Sequence, residues 1–334
     1  MNEIASFAPF APIPAGPKSF GQILDRTFRL MREHFWRLVG LAVPPTAVLF
    51  VVIGAVEAVI WAPMIRQWPT PPAPDTILRS FTPAYFIPAF FVLTLLFLAL
   101  FSIYLAAASY ASTRADSGVK TAFRQAYGLA WRRGGRHLWL LVLCYLYAFL
   151  PLLVVEVAAA LAAAALVRGG GTASPAIFIL IPLAVLFYLA SVAYGIIMAL
   201  RLSLTFPACV EEDLAVRAAV GRSFQLTRGA KGRIFLVVLV IYAALYAAIM
   251  VVELAVMFLV AICFFAGMAL HAQWSTPWGY AGAGFIIICA FAAIVLFTSL
   301  TYATLVTALA ILYHDQRLRT DGPLAAPPQS AGLE

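Results

Sequence analysis

Charged side chains are scarce in this chain. Only 11 % of its 334 residues are Asp, Glu, Lys or Arg, whereas 64 % are hydrophobic and the mean hydropathy is +0.96. In a typical soluble domain about a quarter of the residues are charged, and they help to cover the core with a polar surface. The composition of this chain therefore excludes a soluble globular protein. Because the apolar residues come in long blocks, the chain is predicted to be an integral membrane protein.

Motifs that carry familiar chemistry are missing as well. The sequence has no HExxH, GxxxxGK[ST], GxSxG or GxGxxG pattern. Each cysteine stands alone without CxxC spacing, which is typical of small packing residues, and the histidines are scattered over the boundaries of the apolar blocks. We therefore expect no catalytic site, no metal and no cofactor. The residues in question are Cys144, Cys209, Cys263, Cys289, His34, His137, His271 and His314.

Six apolar blocks are long enough to cross a bilayer, for which a helix needs about 20 residues. They cover roughly residues 38–61, 84–112, 137–167, 175–208, 234–270 and 281–313. The alternating ten-residue segments of an outer-membrane barrel are lacking, and an unpaired strand edge does not survive in lipid. The predicted fold class is therefore all-α, a polytopic membrane protein with six transmembrane helices.

Basic residues are distributed unevenly around these blocks. Of 22 Lys and Arg, five precede the first block, six lie between the second and third, six surround the junction of the fourth and fifth, and two follow the sixth. Only Arg66, Arg79 and Arg168 remain for the other side. The positive-inside rule then places both termini in the cytoplasm. The net charge of +8 indicates attraction to anionic lipid headgroups and not to nucleic acid.

An internal repeat relates the few charged residues near the blocks. Glu57, Glu156 and Glu253 are the only acidic residues inside them, and they are 99 and 97 residues apart. The same two offsets relate three further sets of residues. These sets are Arg37, Arg136 and Arg233; Phe28, Tyr127 and Phe224; and Arg26, Gln125 and Arg222. We expect a disordered arm over residues 1–18, a six-helix membrane domain over 19–316 with units of about 19–116, 117–213 and 214–316, and a cytoplasmic tail over 317–334.

Each unit is predicted to begin with an amphipathic helix that lies in the headgroup plane. In the first unit Ile23, Thr27 and Met31 fall on one helical face, while Arg29 and Arg32 fall on the other. Residues 119–136 and 216–233 repeat this pattern more weakly. A basic polar face suits the membrane surface. Because every unit contains two spans, the three units are expected to be parallel to one another.

The three glutamates allow two interpretations. From Arg37 to Glu57 the chain covers 20 residues, or about 30 Å of helix, which would place the Glu57 carboxylate near the outer interface. About eleven apolar residues follow Glu156 and about seventeen follow Glu253, which would place those two deeper. Alternatively, three carboxylates at one level would face a shared axis and form a proton, cation or polar-headgroup site. The sequence alone leaves both interpretations open.

Several arginines at the cytoplasmic ends of the blocks are candidate contacts for lipid headgroups. Arg201 is embedded in an apolar run between Leu200 and Leu202, where it either snorkels to the surface or contacts a lipid phosphate. Prolines inside the blocks predict kinks, because the carbonyls that they free must find partners in neighbouring helices. The candidate headgroup contacts are Arg26, Arg37, Arg136, Arg201, Arg222 and Arg233, and the prolines are Pro44, Pro45, Pro151 and Pro182.

Three segments carry a family resemblance. They are SFGQILDRTFRLMREHFWRLVGLAV from Ser19, RSFQLTRGAKGRIF from Arg222 and ILYHDQRLRTDG from Ile311. Together they resemble bacterial proteins related to the membrane domain of glycerophosphoryl diester phosphodiesterases. The resemblance implies a bacterial cytoplasmic (inner) membrane and a stand-alone membrane domain. Hydrolase activity is not expected, since the chain ends soon after Arg319 and leaves no room for a (β/α)₈ barrel of about 250 residues.

Two classes of function follow from these patterns. The first is a non-catalytic membrane module, either lipid-interacting or a scaffold at the inner leaflet, with membrane lipids and their anionic headgroups as partners. The alternative is a transporter or permease that uses the glutamate trio. We prefer the module, and the direction in which the three glutamates point should separate the two.

Overall fold

The computed structural model describes residues 16–66, 83–119, 121–168, 177–269 and 277–322. Within these ranges the regular structure consists of ten helices. Six stretches of helix are long and apolar enough to cross a membrane, which confirms the all-α class and fits a multi-pass membrane protein. The helices are α1 Phe20–Glu33, α2 Phe35–Arg66, α3 Pro83–Asp116, α4 Phe123–Arg132, α5 Gly134–Arg168, α6 Ile177–Leu202, α7 Thr205–Glu211, α8 Val216–Leu226, α9 Lys231–Ala269 and α10 Pro277–Asp321.

The long helices come in three pairs, each preceded by a short helix. In the chain order, α1 precedes the pair α2 and α3, α4 precedes α5 and α6, and α8 precedes α9 and α10. We call the end at which α2, α5 and α9 begin the basic end. The six candidate spans are Phe35–Glu57, Pro88–Asp116, Gly134–Ala162, Ile181–Glu211, Lys231–Phe258 and Ile288–Asp321.

The fourth span is interrupted, which the sequence did not predict. Helix α6 ends at Leu202 and α7 begins at Thr205. Pro207 has no N–H, so the carbonyl of Ser203 loses its helical partner. The Ser203 hydroxyl also donates to the Leu200 carbonyl at 2.8 Å, where it competes with the backbone. Together these two residues explain why the helix breaks at this turn and restarts.

One carbonyl freed by a proline finds a donor on a neighbouring helix. Pro45 cannot donate to the carbonyl of Leu41, four residues earlier in α2. The hydroxyl of Tyr127 on α4 donates to that carbonyl at 2.6 Å. A side chain of a neighbouring helix thus takes the place of the missing backbone donor.

The long helices contact one another in a closed order. Neighbours are α2 and α3, α3 and α5, α5 and α6, α6 and α9, α9 and α10, and α10 and α2. In addition α3 contacts α10, and the Ser112 and Thr307 hydroxyls lie 3.1 Å apart between them. Over half (56 %) of the apolar window of α10 is buried, against 6 to 28 % for the other spans. Helix α10 is therefore the central helix of the bundle.

Burial is concentrated towards the basic end. The two buried apolar clusters include Leu38, Tyr104 and Leu140 in one and Leu30 and Ile311 in the other. Farther along the helices the side chains become exposed, and every side chain over 181–190 of α6 is exposed. Such apolar exposure is large for a soluble protein and suits helices that face lipid.

Helix α1 begins at a capping box. The Gln22 N–H donates to the Ser19 hydroxyl at 3.4 Å, and the Ser19 N–H donates to Gln22 Oε1 at 2.7 Å. Ile23 and Leu30 are buried, and the helix packs mainly against α10 and also contacts α9 and α2. The apolar stripe that suggested a helix lying in the headgroups thus covers protein, whereas Phe28 from the same predicted face is 44 % exposed.

The predicted outer boundaries of the domain differ from the structure at both ends. Lys18, at the end of the predicted arm, has a backbone N–H that donates to Asp315 at 2.6 Å. Helix α10 continues past the predicted boundary at residue 316 as far as Asp321. Ion pairs described below hold both segments. Residues 1–15 and 323–334, the remainder of the predicted arm and tail, lie outside the described residues.

Candidate functional site

Asp116, the last residue of α3, gathers cations at the basic end. Its carboxylate accepts a hydrogen bond from Arg26 Nε at 2.8 Å and lies 3.7 Å from Lys18 Nζ. Arg26 also donates to the Asp116 carbonyl at 2.8 Å, and His314 Nδ1 is 3.3 Å from the carboxylate. The Asp116 side chain is nearly buried, and a buried carboxylate needs such partners because desolvation disfavours its charge.

Asp315 is the most deeply buried of these carboxylates, with 0 % side-chain exposure. It accepts from the Lys18 N–H, pairs with Arg233 at 2.9 Å and pairs with Arg319 at 3.0 Å. Arg319 and Arg233 also donate to the Lys18 carbonyl. The start of the described chain, the start of α9 and the end of α10 are thus held together by one carboxylate.

Glu212 and Asp321 share Arg222. Arg222 Nε donates to Glu212 at 3.0 Å, and its other nitrogens pair with Asp321. These hydrogen bonds raise the pKa of Arg222 above its ordinary value, and the largest effect comes from the bond that Arg222 donates to Asp321. The Tyr313 hydroxyl donates to Glu212 at 2.6 Å. The guanidinium is therefore committed to two carboxylates within the protein.

Asp213 follows α7 and lies beside the start of α5. It pairs with Arg136 at 2.8 Å and also with Arg133. The residue has a positive φ of 49°, which Asp tolerates better than most side chains. The Asp213 carboxylate is largely exposed, and so is the side chain of its partner Arg133. This pair is consequently more open to competition from solvent or ligands than the buried pairs of Asp116 and Asp315.

The predicted headgroup arginines therefore divide into two groups. Four of the six, Arg26, Arg136, Arg222 and Arg233, are held by carboxylates of the protein. Arg37 is exposed and has no carboxylate partner within the described ranges. Arg201 lies over the Phe224 ring, with its guanidinium carbon 5.6 Å from the ring centroid. Of the six, only Arg37 and Arg201 are thus left without a carboxylate partner in the described part of the chain.

Three aspartates that were not among the predicted site residues hold three of these four arginines. Asp116 ends α3, Asp213 follows α7 and Asp315 lies in the last part of α10, and they are 97 and 102 residues apart. Their spacing was visible in the sequence. They were missed because they lie outside the apolar runs, where a charge is less conspicuous than it is inside one.

The three glutamates lie at one common height. Each comes 22 residues after the first residue of its helix, which corresponds to about 33 Å of rise. This rise is about equal to the thickness of the hydrocarbon core, about 30 Å. All three side chains are exposed, and the central position is filled by the contact of α3 with α10. The three residues are Glu57 in α2, Glu156 in α5 and Glu253 in α9.

Two cavities at the basic end are lined by cationic side chains. One of about 400 Å³ lies between the turn after α8 and the end of α6, and it is lined by Arg201, Arg228 and Lys231 together with Phe224, Gln225 and Gly229. The second, of about 260 Å³, lies where α4 meets α3 and α5. In the described ranges no group of three or more His, Cys, Asp or Glu residues is arranged to hold a metal ion. The first cavity is suited to an anion, since none of its lining cations is paired with a carboxylate in the described part of the chain.

Comparison of the chain with family models, with curated proteins and with solved structures found no match.

Proposed function

We propose that this chain is a non-catalytic integral membrane module that binds anionic phospholipid headgroups at the cytoplasmic face of the bilayer. The observation that carries the proposal is the cavity of about 400 Å³ with three cations and no carboxylate in its lining. Four of the other predicted headgroup arginines, Arg26, Arg136, Arg222 and Arg233, are by contrast neutralised by carboxylates of the protein. An uncompensated set of cations next to the membrane surface favours a negatively charged ligand.

The elements around this cavity position the cations. Arg201 comes from the end of α6, and its carbonyl accepts a hydrogen bond from the Ser223 hydroxyl of α8 at 2.6 Å. Gly229 adopts a φ of +82°, which lets the chain turn between α8 and α9. Lys231 is the first residue of α9, so the positive end of that long helix adds to the field. A phosphate would thus find two guanidinium groups, one ammonium group and a helix N-terminus.

We further propose that the chain is built from three parallel units. Support comes from the starts of α2, α5 and α9, at residues 35, 134 and 231, whose spacing of 99 and 97 equals the offsets of the sequence repeat. Between units, contacts run each time from the second helix of one pair to the first helix of the next. The short helices α1, α4 and α8 contact the second helix of the preceding pair, namely α10, α3 and α6.

This arrangement puts both chain ends and the short helices at one membrane face. Because 19 of the 22 Lys and Arg belong to that end, the positive-inside rule assigns it to the cytoplasm. A bacterial inner membrane and a relation to the stand-alone membrane domains of glycerophosphoryl diester phosphodiesterases remain part of the proposal. They depend on the three sequence segments alone. The alternative, a transporter or permease, needs Glu57, Glu156 and Glu253 to line a common path, whereas all three side chains are exposed on the separate helices α2, α5 and α9.

The proposal is tested by lipid titration of the purified full-length protein in a neutral detergent, with bound lipid counted by native mass spectrometry. We expect phosphatidylglycerol to bind more tightly than phosphatidylcholine. The triple variant Arg201→Gln, Arg228→Gln, Lys231→Gln should weaken phosphatidylglycerol binding about tenfold, because it removes the charges that face one phosphate.

A matched variant controls for general surface charge. Arg29→Gln, Arg32→Gln, Arg124→Gln also removes three exposed positive charges, but none of these residues lines either cationic cavity. We expect it to change the affinity by less than about threefold. Equal affinity for the two lipids, or an equal loss in both triple variants, would contradict the proposed function.

A further inference from the structure

The second cationic cavity, of about 260 Å³, has a different composition. Arg132 and Arg133 reach it from the end of α4, and Arg136 and His137 reach it from the first turn of α5. His137 Nδ1 lies 3.1 Å from the Ala130 carbonyl, so this nitrogen carries a proton and the ring is fixed. The 35-residue helix α5 begins at Gly134, between Arg133 and Arg136 in the sequence. The cavity therefore combines three guanidinium groups with the positive end of a helix.

Asp213 occupies two of the three arginines, and one donor is left over. Arg133 and Arg136 both pair with its carboxylate. Nε of Arg136 is buried and has no hydrogen-bond partner in the described part of the chain. A buried donor without an acceptor is unfavourable, and three guanidinium groups offer far more donors than one carboxylate accepts. The cavity is thus incompletely satisfied by the protein itself.

An apolar cavity of about 250 Å³ is lined by residues of the same helices α3, α5 and α7, together with residues of α6 and α10. On α5 the lining passes from His137 in the cationic cavity to Leu141 in the apolar one, and on α7 it passes from Val210 to Phe206. Each of these steps is four residues, or about 6 Å along a helix. On α3 the two linings lie at the same depth, with Ala106 and Tyr110 in the cationic cavity and Leu105 and Ser109 in the apolar one. The cavities are thus adjacent at α3, and on α5 and α7 the charged and apolar linings follow each other in the order in which a lipid headgroup and its chain would meet them.

We infer that these two cavities are the head and tail parts of one site for an anionic glycerophospholipid, and that Asp213 competes with the lipid phosphate for Arg133 and Arg136. The phosphate accepts from the arginines of the cationic cavity, and the upper part of an acyl chain fills the apolar cavity. The inference rests on the proposed function for the class of ligand, but it concerns a second site with its own competitor. A free phosphate would use the cationic part only.

Removal of the Asp213 charge should increase the affinity for the lipid, whereas damage to the fold would decrease it. We expect Asp213→Asn to tighten phosphatidylglycerol binding about threefold or more, because both arginines lose their internal partner. Arg132→Gln with Arg133→Gln should weaken it about tenfold, while the pair of Arg136 with Asp213 stays intact. Arg124→Gln, on the same helix but outside the cavity, serves as the matched control and should leave the affinity within about twofold. Bound lipid is again counted by native mass spectrometry on the full chain.

Two further arms separate the parts of the site. Ala199 lines the apolar cavity from α6 and is exposed, so Ala199→Phe should block the chain without affecting the arginines and should weaken phosphatidylglycerol binding. Glycerol 3-phosphate, which has the phosphate and no chain, should compete poorly with the lipid. Competition by glycerol 3-phosphate at the affinity of the lipid would overturn the tail part and indicate a soluble phosphate ligand.

The outcomes distinguish this inference from the proposed function. Preference for phosphatidylglycerol with no response to Asp213→Asn and none to the double arginine variant would overturn the second site and leave the first intact. If Asp213→Asn binds phosphatidylglycerol more tightly while the triple variant at Arg201, Arg228 and Lys231 binds it normally, the second site is supported. The same result would show that the cavity of about 400 Å³, on which the proposed function is built, does not bind the lipid.

Discussion

The hydroxyl of Tyr127 shows what a single residue does in this bundle. Two consecutive prolines, Pro44 and Pro45, interrupt the hydrogen bonding of α2, and Tyr127 donates to the freed Leu41 carbonyl at 2.6 Å. Burial raises the pKa of Tyr127 from 10.0 to about 12, so the hydroxyl keeps its proton at physiological pH. The bond is therefore constant below about pH 10 and is lost only as the phenol ionises.

At this scale we predict that Tyr127→Phe destabilises the protein by about 1–3 kcal/mol, because the Leu41 carbonyl is left without a partner. The measurement is thermal unfolding in detergent, followed by circular dichroism at neutral pH. Tyr194→Phe removes a hydroxyl from an exposed position on α6 and should have little effect. Equal shifts in the two variants would show that the bond to Leu41 contributes nothing specific.

Pairs of helices depend on close approach at a few positions. A Cβ atom placed on Gly195 of α6 would lie 3.1 Å from the Ala148 carbonyl oxygen of α5, which is tighter than an ordinary contact. Small residues at such points let helix backbones come together in a membrane. Helices α5 and α6 form the most extensive contact in the bundle, although the far part of α6 is exposed on all of its side chains. The position of Gly195 therefore holds this pair together near its packed end.

For this element we predict that Gly195→Leu costs about 1–3 kcal/mol of stability through overpacking. Gly54 of α2 is the matched control, since a Cβ there meets nothing within 4 Å. Gly54→Leu should be neutral or slightly stabilising, because it replaces a flexible residue in a helix. The stability of both variants is measured by thermal unfolding in the same detergent. A Gly195→Leu variant as stable as Gly54→Leu would disprove the role of the close approach between Gly195 and Ala148.

The whole molecule has one end that is packed and ion-paired and another at which the helices expose their apolar sides. At the basic end five carboxylates join α1, α3, α5, α7, α8, α9 and α10 or the segments beside them. Towards the other end Glu57, Glu156 and Glu253 are exposed. This asymmetry fits the proposal that charge at one end faces a membrane surface while the apolar sides of the helices face lipid.

For the whole molecule we predict that both termini face the cytoplasm. Green fluorescent protein fused at either end should fluoresce, whereas alkaline phosphatase at either end should be inactive. Alkaline phosphatase inserted between residues 67 and 82 should be active, because this segment connects α2, which ends at Arg66, to α3, which begins at Pro83. Termini on opposite sides of the membrane would contradict the parallel arrangement of the three units.

Features of the structure that depend on interactions between residues near one another in the chain could be predicted from the sequence. The six spans and the starts of the long helices follow from local hydropathy, and the common height of Glu57, Glu156 and Glu253 follows from a spacing that any helix converts into distance. The break at Ser203 was missed because its causes, Pro207 and one hydroxyl, are weak signals within an apolar run.

Partners distant in the sequence were decided only by the tertiary structure. Arg26 and Asp116 are 90 residues apart and Arg136 and Asp213 are 77 apart, and composition does not reveal which arginine a given carboxylate neutralises. The two cationic cavities exist because the folded chain leaves some cations in excess after those pairs have formed. Local patterns thus determined which segments are helices and how long they are, whereas the packing of α3, α5, α7 and α10 against one another decided which charges remain for a ligand, because that depends on distances between helices.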